Sequence, residues 1–186
     1  MFNSETRYGA VAMTLHWLIA FAIIGMLVGG KYMHGLPNSD PNKFLLYQLH
    51  KSTGITILAL TVARIVWRFA GPVPALPATM ATWERWVAHL SHFVLYALMI
   101  LIPLSGWAVA STSSTGVPTV WFGLFEVPHL PVPATEEAHE AAEEGHELFG
   151  NLMILLLLLH VGAALKHHFW DRDGVFKRML PFTRTE

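Results

Sequence analysis

Apolar residues along this chain gather into four long runs, and the breaks between them are rich in proline, lysine or glutamate. A helix rises ~1.5 Å per residue, so roughly 20 residues cross a hydrocarbon core ~30 Å thick. The first run, from about Ala10 to Met33, is interrupted by His16. The third, from about Trp86 to Ala110, contains His89, His92 and Pro103, and the fourth, from Leu148 to Leu165, contains His160. The second run, Phe44 to Phe69, carries His50, Lys51, Arg64 and Arg68, which leaves a charge-free stretch of only twelve residues, Ser52 to Ala63. That stretch alone also fits a buried or re-entrant helix. Its charges lie near its ends, where long side chains snorkel to the interface, so it reads as a span. The expected fold is an all-α integral membrane bundle of four transmembrane helices, one domain over 1–186, with spans near 10–33, 44–69, 86–110 and 146–168. Thr135 is placed to cap the helix-favouring stretch Glu136 to Glu147, so the fourth helix should begin above the membrane.

Composition agrees: 53% of residues are hydrophobic, 13% are charged and mean hydropathy is +0.43. The absence of cysteine excludes disulfides, thioether-linked haem, cysteine-ligated clusters and thiol catalysis. Metal chemistry must therefore use histidine or carboxylate. A net charge of −1 without a basic run excludes nucleic acid as a partner. The N-terminal run is long enough to span and lacks a small-residue cleavage site, so it is expected to stay attached.

Lysine and arginine in short flanks set orientation. Arg7, then Arg68 and Arg85, then Lys166, Arg172, Lys177, Arg178 and Arg184 fall on one side. Lys31, Lys43 and Lys51 flank the first connection, and the third connection is rich in glutamate instead. Both termini are expected in the cytoplasm.

Eleven histidines are the compositional anomaly, and histidine inside a span is costly enough to suggest function. His146 and His160 are fourteen residues apart, which at about 100° per residue puts them on nearly one face, ~21 Å apart in height. His16 lies one or two turns into the first helix, near the level of His160, and His50 opens the second helix near the level of His146. A lone histidine in an apolar helix is usually a hydrogen-bonded core residue, but four at two matched depths on three helices favour ligation. Two haems stacked along a bundle need this, one imidazole on each side of each iron, paired His16 with His160 and His50 with His146. On spacing alone His92 could replace His16 or His160. Arg64 is fourteen residues from His50 and shares its face at the opposite depth, where a haem propionate would supply the anion a buried arginine needs, with Arg68 or Lys166 for the second propionate. His139, Glu140 and Glu143 read as a solvated acidic helix more than a zinc or proton site, and His34 and His129 as loop residues.

The segments T-L-H-W (Thr14 to Trp17), L-H-K-S-T-G (Leu49 to Gly54), A-H-L-S-H (Ala88 to His92), P-L-S-G-W (Pro103 to Trp107), H-E-L-F-G-N-L (His146 to Leu152) and L-H with K-H-H-F-W (Leu159 to Trp170) resemble the bacterial cytochrome b561 family, in order, over essentially the whole chain. The resemblance implies four helices and two b haems in the bacterial inner membrane, with ligands carried onto His16, His50, His146 and His160 and His92 set aside. It further implies a superoxide oxidase activity, in which superoxide gives its electron to ubiquinone. The acidic third connection departs from this, since negative charge repels superoxide; Lys51, Lys31 and Lys43 would offset it.

A quinone needs an apolar slot and a donor for its carbonyl oxygen. Trp17, His167 and His168 are near the inner pair in sequence, and His167 is the expected donor; the competing reading makes His167 and His168 interfacial anchors with Phe169 and Trp170. Two other functions fit the pattern. One is an anchor subunit that links a periplasmic electron-donor protein to the quinone pool, and the other is a haem-free transporter using the histidines directly.

Overall fold

The computed structural model describes residues 2–77 and 79–181; Arg184, counted above with the basic C-terminal flank, lies outside them. Four long helices carry the chain: α1 (Ala10–Gly35), α2 (Lys43–Phe69), α3 (Thr82–Thr112) and α4 (Glu136–Lys166). Each is long and apolar enough to cross a membrane, including α2 with its terminal charges. Large apolar side chains such as Phe21, Val28, Val66, Leu155 and Leu158 are exposed on the bundle's outside, where lipid rather than water is the compatible solvent. The chain is an integral membrane four-helix bundle.

Local sequence sets the helix ends. Leu36 is extended (φ −73°, ψ 142°) because Pro37 follows it, and α1 stops there. The backbone N–H of Ala81 donates to the Glu84 carboxylate at the start of α3. Thr135 caps α4 by accepting from the Ala138 N–H at 3.2 Å, so α4 begins ten residues before His146, as its composition indicates. His34, expected in a loop, lies in the last turn of α1 because the helix runs on to Gly35.

Between α3 and α4 the chain forms a hairpin that the sequence reading missed, β1 (Thr119–Trp121) paired antiparallel with β2 (Phe125–Val127). Phe122 (φ 45°) and Gly123 (φ 77°) make its turn, closed by the Leu124 N–H on the Trp121 carbonyl. The hairpin is stitched to α2. Gln48 donates to the Pro118 carbonyl and accepts from the Val120 N–H, Ser52 accepts from the Phe122 N–H, and the Trp121 indole donates to Thr56. Two connections and the hairpin thus share one end of the bundle, called here the hairpin end.

At the opposite, terminal end the chain termini meet. A π-helical turn (His167–Asp171) and a 3₁₀ turn (Phe176–Met179) fold the C-terminal segment back over α1. Trp17 donates to the Met179 carbonyl at 2.7 Å, Arg7 donates to the Leu180 carbonyl, and Arg178 donates to the Ala75 carbonyl. The helices pack in chain order, α1 on α2, α2 on α3 and α3 on α4; among the described residues the α4 backbone stands off from α1 and α2.

Candidate functional site

That stand-off is crossed by imidazoles. At the terminal end His16 of α1 faces His160 of α4, their ring centres 6.4 Å apart; at the hairpin end His50 of α2 faces His146 of α4 at 6.2 Å. A metal bound by an imidazole nitrogen lies about 2.0–2.1 Å from it and the ring centre about 1.2 Å behind, so two imidazoles facing across one ion have centres about 6.4–6.6 Å apart. Both pairs lie close to that spacing, and the planes cross at 66° and 78°.

His92 comes closer to His160, at 5.4 Å between ring centres, which is short for an intervening metal. Its Nδ1 donates to the Ala88 carbonyl of its own helix at 2.6 Å. Arg64 reaches the same place from α2: it donates to the Ala12 carbonyl at 2.9 Å, and its second nitrogen lies 3.4 Å from His16 Nδ1. Arg64 and Arg68 both sit over the Tyr96 ring, 5.8 Å from its centre. Arg64, beside His16, and Arg68, over the same Tyr96 ring, make this a ready site for carboxylates.

At the hairpin end an apolar cleft of about 680 Å³, counted with its open mouth, is lined by His50, His146, Lys51, Gly54, Trp107 and Met153. His146 Nδ1 lies 3.1 Å from both Ser105 Oγ and the Ile102 carbonyl, which leaves Nε2 for the side facing His50. Two glycines make room for the rings. A Cβ on Gly30 would lie 3.2 Å from His50 Cε1, and one on Gly106 would lie 2.9 Å from His146 Cε1, closer than packed carbons come. The donor set, the spacing of the pairs and the stand-off of α4 from α1 and α2 fit a metal-bearing group held between imidazoles.

The sequence match decides the family. Residues 7–182 match the prokaryotic cytochrome b561 family over nearly the whole chain. The chain belongs to that family. It is 34% identical over 178 residues to "Cytochrome b561 homolog 2" of Escherichia coli (strain K12), covering 96% of this chain and 93% of the relative. It is 28% identical over 178 residues to "Probable superoxide oxidase CybB" of Yersinia pestis, covering 96% and 98%. It is also 28% identical over 183 residues to "Cytochrome b562" of Cereibacter sphaeroides, again covering 96% and 98%. As a prokaryotic cytochrome b561 the chain is a haem b-binding, membrane-embedded electron-transfer protein.

The remaining expected site residues fare unequally within this cytochrome b561 bundle. Trp17 packs edge-on to His16 at 5.3 Å, but its indole N–H is already given to Met179. His167 is drawn into an ion-pair cluster, with Nδ1 2.6 Å from Asp173 and 3.1 Å from Asp171, while Lys166 lies 2.8 Å from Asp171 and 2.7 Å from Glu84 of α3. Only its Nε2 remains for another partner. Phe169 and Trp170 are exposed, as interfacial anchors are. Of the lysines thought to offset the acidic stretch, Lys31 pairs with Glu147 at 3.4 Å and Lys43 donates to the Leu36 carbonyl and Asn38. Lys51 alone of the three lines the cleft. His139 meets Thr112 of α3 at 3.0 Å and Glu143 at 3.7 Å. Spacing did not find Ser105, Gly106 or Gly30; the P-L-S-G-W segment was the visible signal for the first two.

Proposed function

We propose that this chain is a di-haem electron carrier of the bacterial inner membrane, a single domain that moves electrons from a one-electron donor at the hairpin end to ubiquinone at the terminal end. The observation that carries the reading is the pair of imidazole couples, each spaced for one metal, at two levels of one bundle. His16 with His160, and His50 with His146, would hold the two irons, and a bound haem supplies one-electron exchange between ferric and ferrous iron. Two histidines for each iron would leave oxygen no vacant site on the metal. Arg64 and Arg68 receive the propionates of the inner group, and Lys51 carries positive charge at the mouth of the outer cleft. Trp17 walls the inner site, and Nε2 of His167 is the donor left for a quinone carbonyl. The basic flanks put both termini in the cytoplasm, so the hairpin end faces the periplasm.

Superoxide is the favoured donor, supported by the printed name of the Yersinia pestis relative and by Lys51 at the cleft. An anchor subunit serving a periplasmic electron-donor protein is the second reading. It is favoured by the acidic start of α4, where Glu136, Glu137, Glu140 and Glu144 are exposed and would attract a basic partner.

Haem counting tests the carrier. Purified wild type should hold two b haems per chain and His16→Ala and His50→Ala about one each; a colourless, correctly inserted wild type refutes the reading. Superoxide and a reduced basic cytochrome c, each supplied with ubiquinone, then separate the two donors by which one reduces the protein.

A further inference from the structure

The strongest unassigned feature is what surrounds the back of His146. Pro103 has no N–H, so the ladder of α3 lacks its bond to the Met99 carbonyl one turn before the stretch that meets α4. In that stretch Ser105 donates its hydroxyl hydrogen to the Ile102 carbonyl at 2.9 Å, which leaves the Ser105 oxygen free to accept. Ser105 Oγ and the Ile102 carbonyl then lie 3.1 Å each from His146 Nδ1. Gly106, next along, is the position where a methyl group would strike the same ring at 2.9 Å. Ile102, Ser105 and Gly106 thus meet one imidazole, just after the proline that interrupts the helix ladder.

The terminal end differs at the ring itself, although Lys51 also brings a cation to the hairpin-end cleft. His16 Nδ1 lies 3.4 Å from Arg64, a guanidinium that only donates and carries fixed positive charge. An acceptor on the N–H of a ligating imidazole raises its basicity and favours the ferric state, while a nearby cation favours the ferrous state.

We propose that Ser105, with the Ile102 carbonyl, is a positioning residue that holds His146 with its hydrogen on Nδ1 and makes the hairpin-end haem the lower-potential of the two, so that electrons run downhill from the hairpin end to the terminal end. The proposal rests on ligation by His146. Each electron passed oxidises one ferrous iron at the hairpin end and reduces one ferric iron at the terminal end, with no proton or other reactant needed for that step.

The test is an optical redox titration of wild type, Ser105→Ala and Ser105→Thr, with His50→Ala as the reference that keeps only the terminal-end haem. One net hydrogen bond is worth about 0.5–1.5 kcal/mol, so the reduction equilibrium of one haem should shift up to about tenfold, ~59 mV for one electron. In Ser105→Ala the lower midpoint should rise toward the upper, which should stay with the midpoint of His50→Ala, and Ser105→Thr should restore the gap. If both midpoints of Ser105→Ala match wild type, or only the upper one moves, the proposal fails while His146 may still be counted as a ligand by haem loss in His146→Ala. If His146→Ala keeps both haems, the ligation reading fails first. Gly106→Ala gives a second route: it should deplete the lower-potential haem and spare the upper, and equal retention of both would overturn the fit around the ring.

Discussion

A metal-holding imidazole offers one nitrogen to the ion and must satisfy the other, so the atoms behind each histidine matter as much as those in front. Glycine substitutions grade this directly. Gly106→Ala puts a methyl 2.9 Å from the His146 ring and should drop haem content toward one per chain, whereas Gly30→Ala, at 3.2 Å from His50, should keep both haems with a perturbed spectrum; pyridine haemochrome counts on the two variants check the order. Arg64 acts by charge. Arg64→Gln removes a cation beside His16 and should lower the higher midpoint potential in a redox titration, leaving the other in place. At this scale the four ligand candidates were legible from sequence because helical periodicity converts spacing into height and facing. His92 was not separable by spacing, since it occupies the same level as His160; the 5.4 Å ring separation and its bond to Ala88 distinguish it. The residues behind His146 were out of reach because they belong to another helix.

Among the elements, the long helices follow from hydrophobic run length, and the Thr135 cap marked where α4 starts. The β1–β2 hairpin was hidden because its strands are three residues each, too short for alternation to register. Its placement depends on polar side chains of α2, chiefly Ser52, which is 1% exposed. Ser52→Ala leaves the Phe122 N–H without its acceptor and should weaken the hairpin locally by roughly 0.5–1.5 kcal/mol. Faster amide exchange over residues 119–127 with unchanged exchange in α1 is the expected result. The turn needs positive φ at Phe122 and Gly123, and a β-branched residue at Gly123 should loosen the same segment.

For the whole molecule, the charge distribution is what argues for an orientation and for a donor. Alkaline phosphatase fused after residue 130 should be active and the same enzyme fused after residue 181 inactive, as expected for a periplasmic hairpin and cytoplasmic termini. If a basic protein is the donor, its rate should fall steeply as ionic strength rises, because the exposed glutamates of α4 act over about a Debye length, ~8–10 Å near physiological salt. Depth and charge were therefore readable before any coordinates. The way the helices lean on one another was not, since lipid-facing and cleft-facing surfaces are equally apolar.

Because the α4 backbone stands off from α1 and α2, that seam is bridged by side chains alone, the two imidazole couples and the Lys31–Glu147 ion pair. Cofactor insertion should then be the final step of maturation, locking α4, already packed on α3, against α1 and α2. Cells starved of iron or porphyrin would carry a half-latched form, recognisable by protease cutting in residues 128–135 and by rapid turnover, and supplying haem would rescue the chain from degradation.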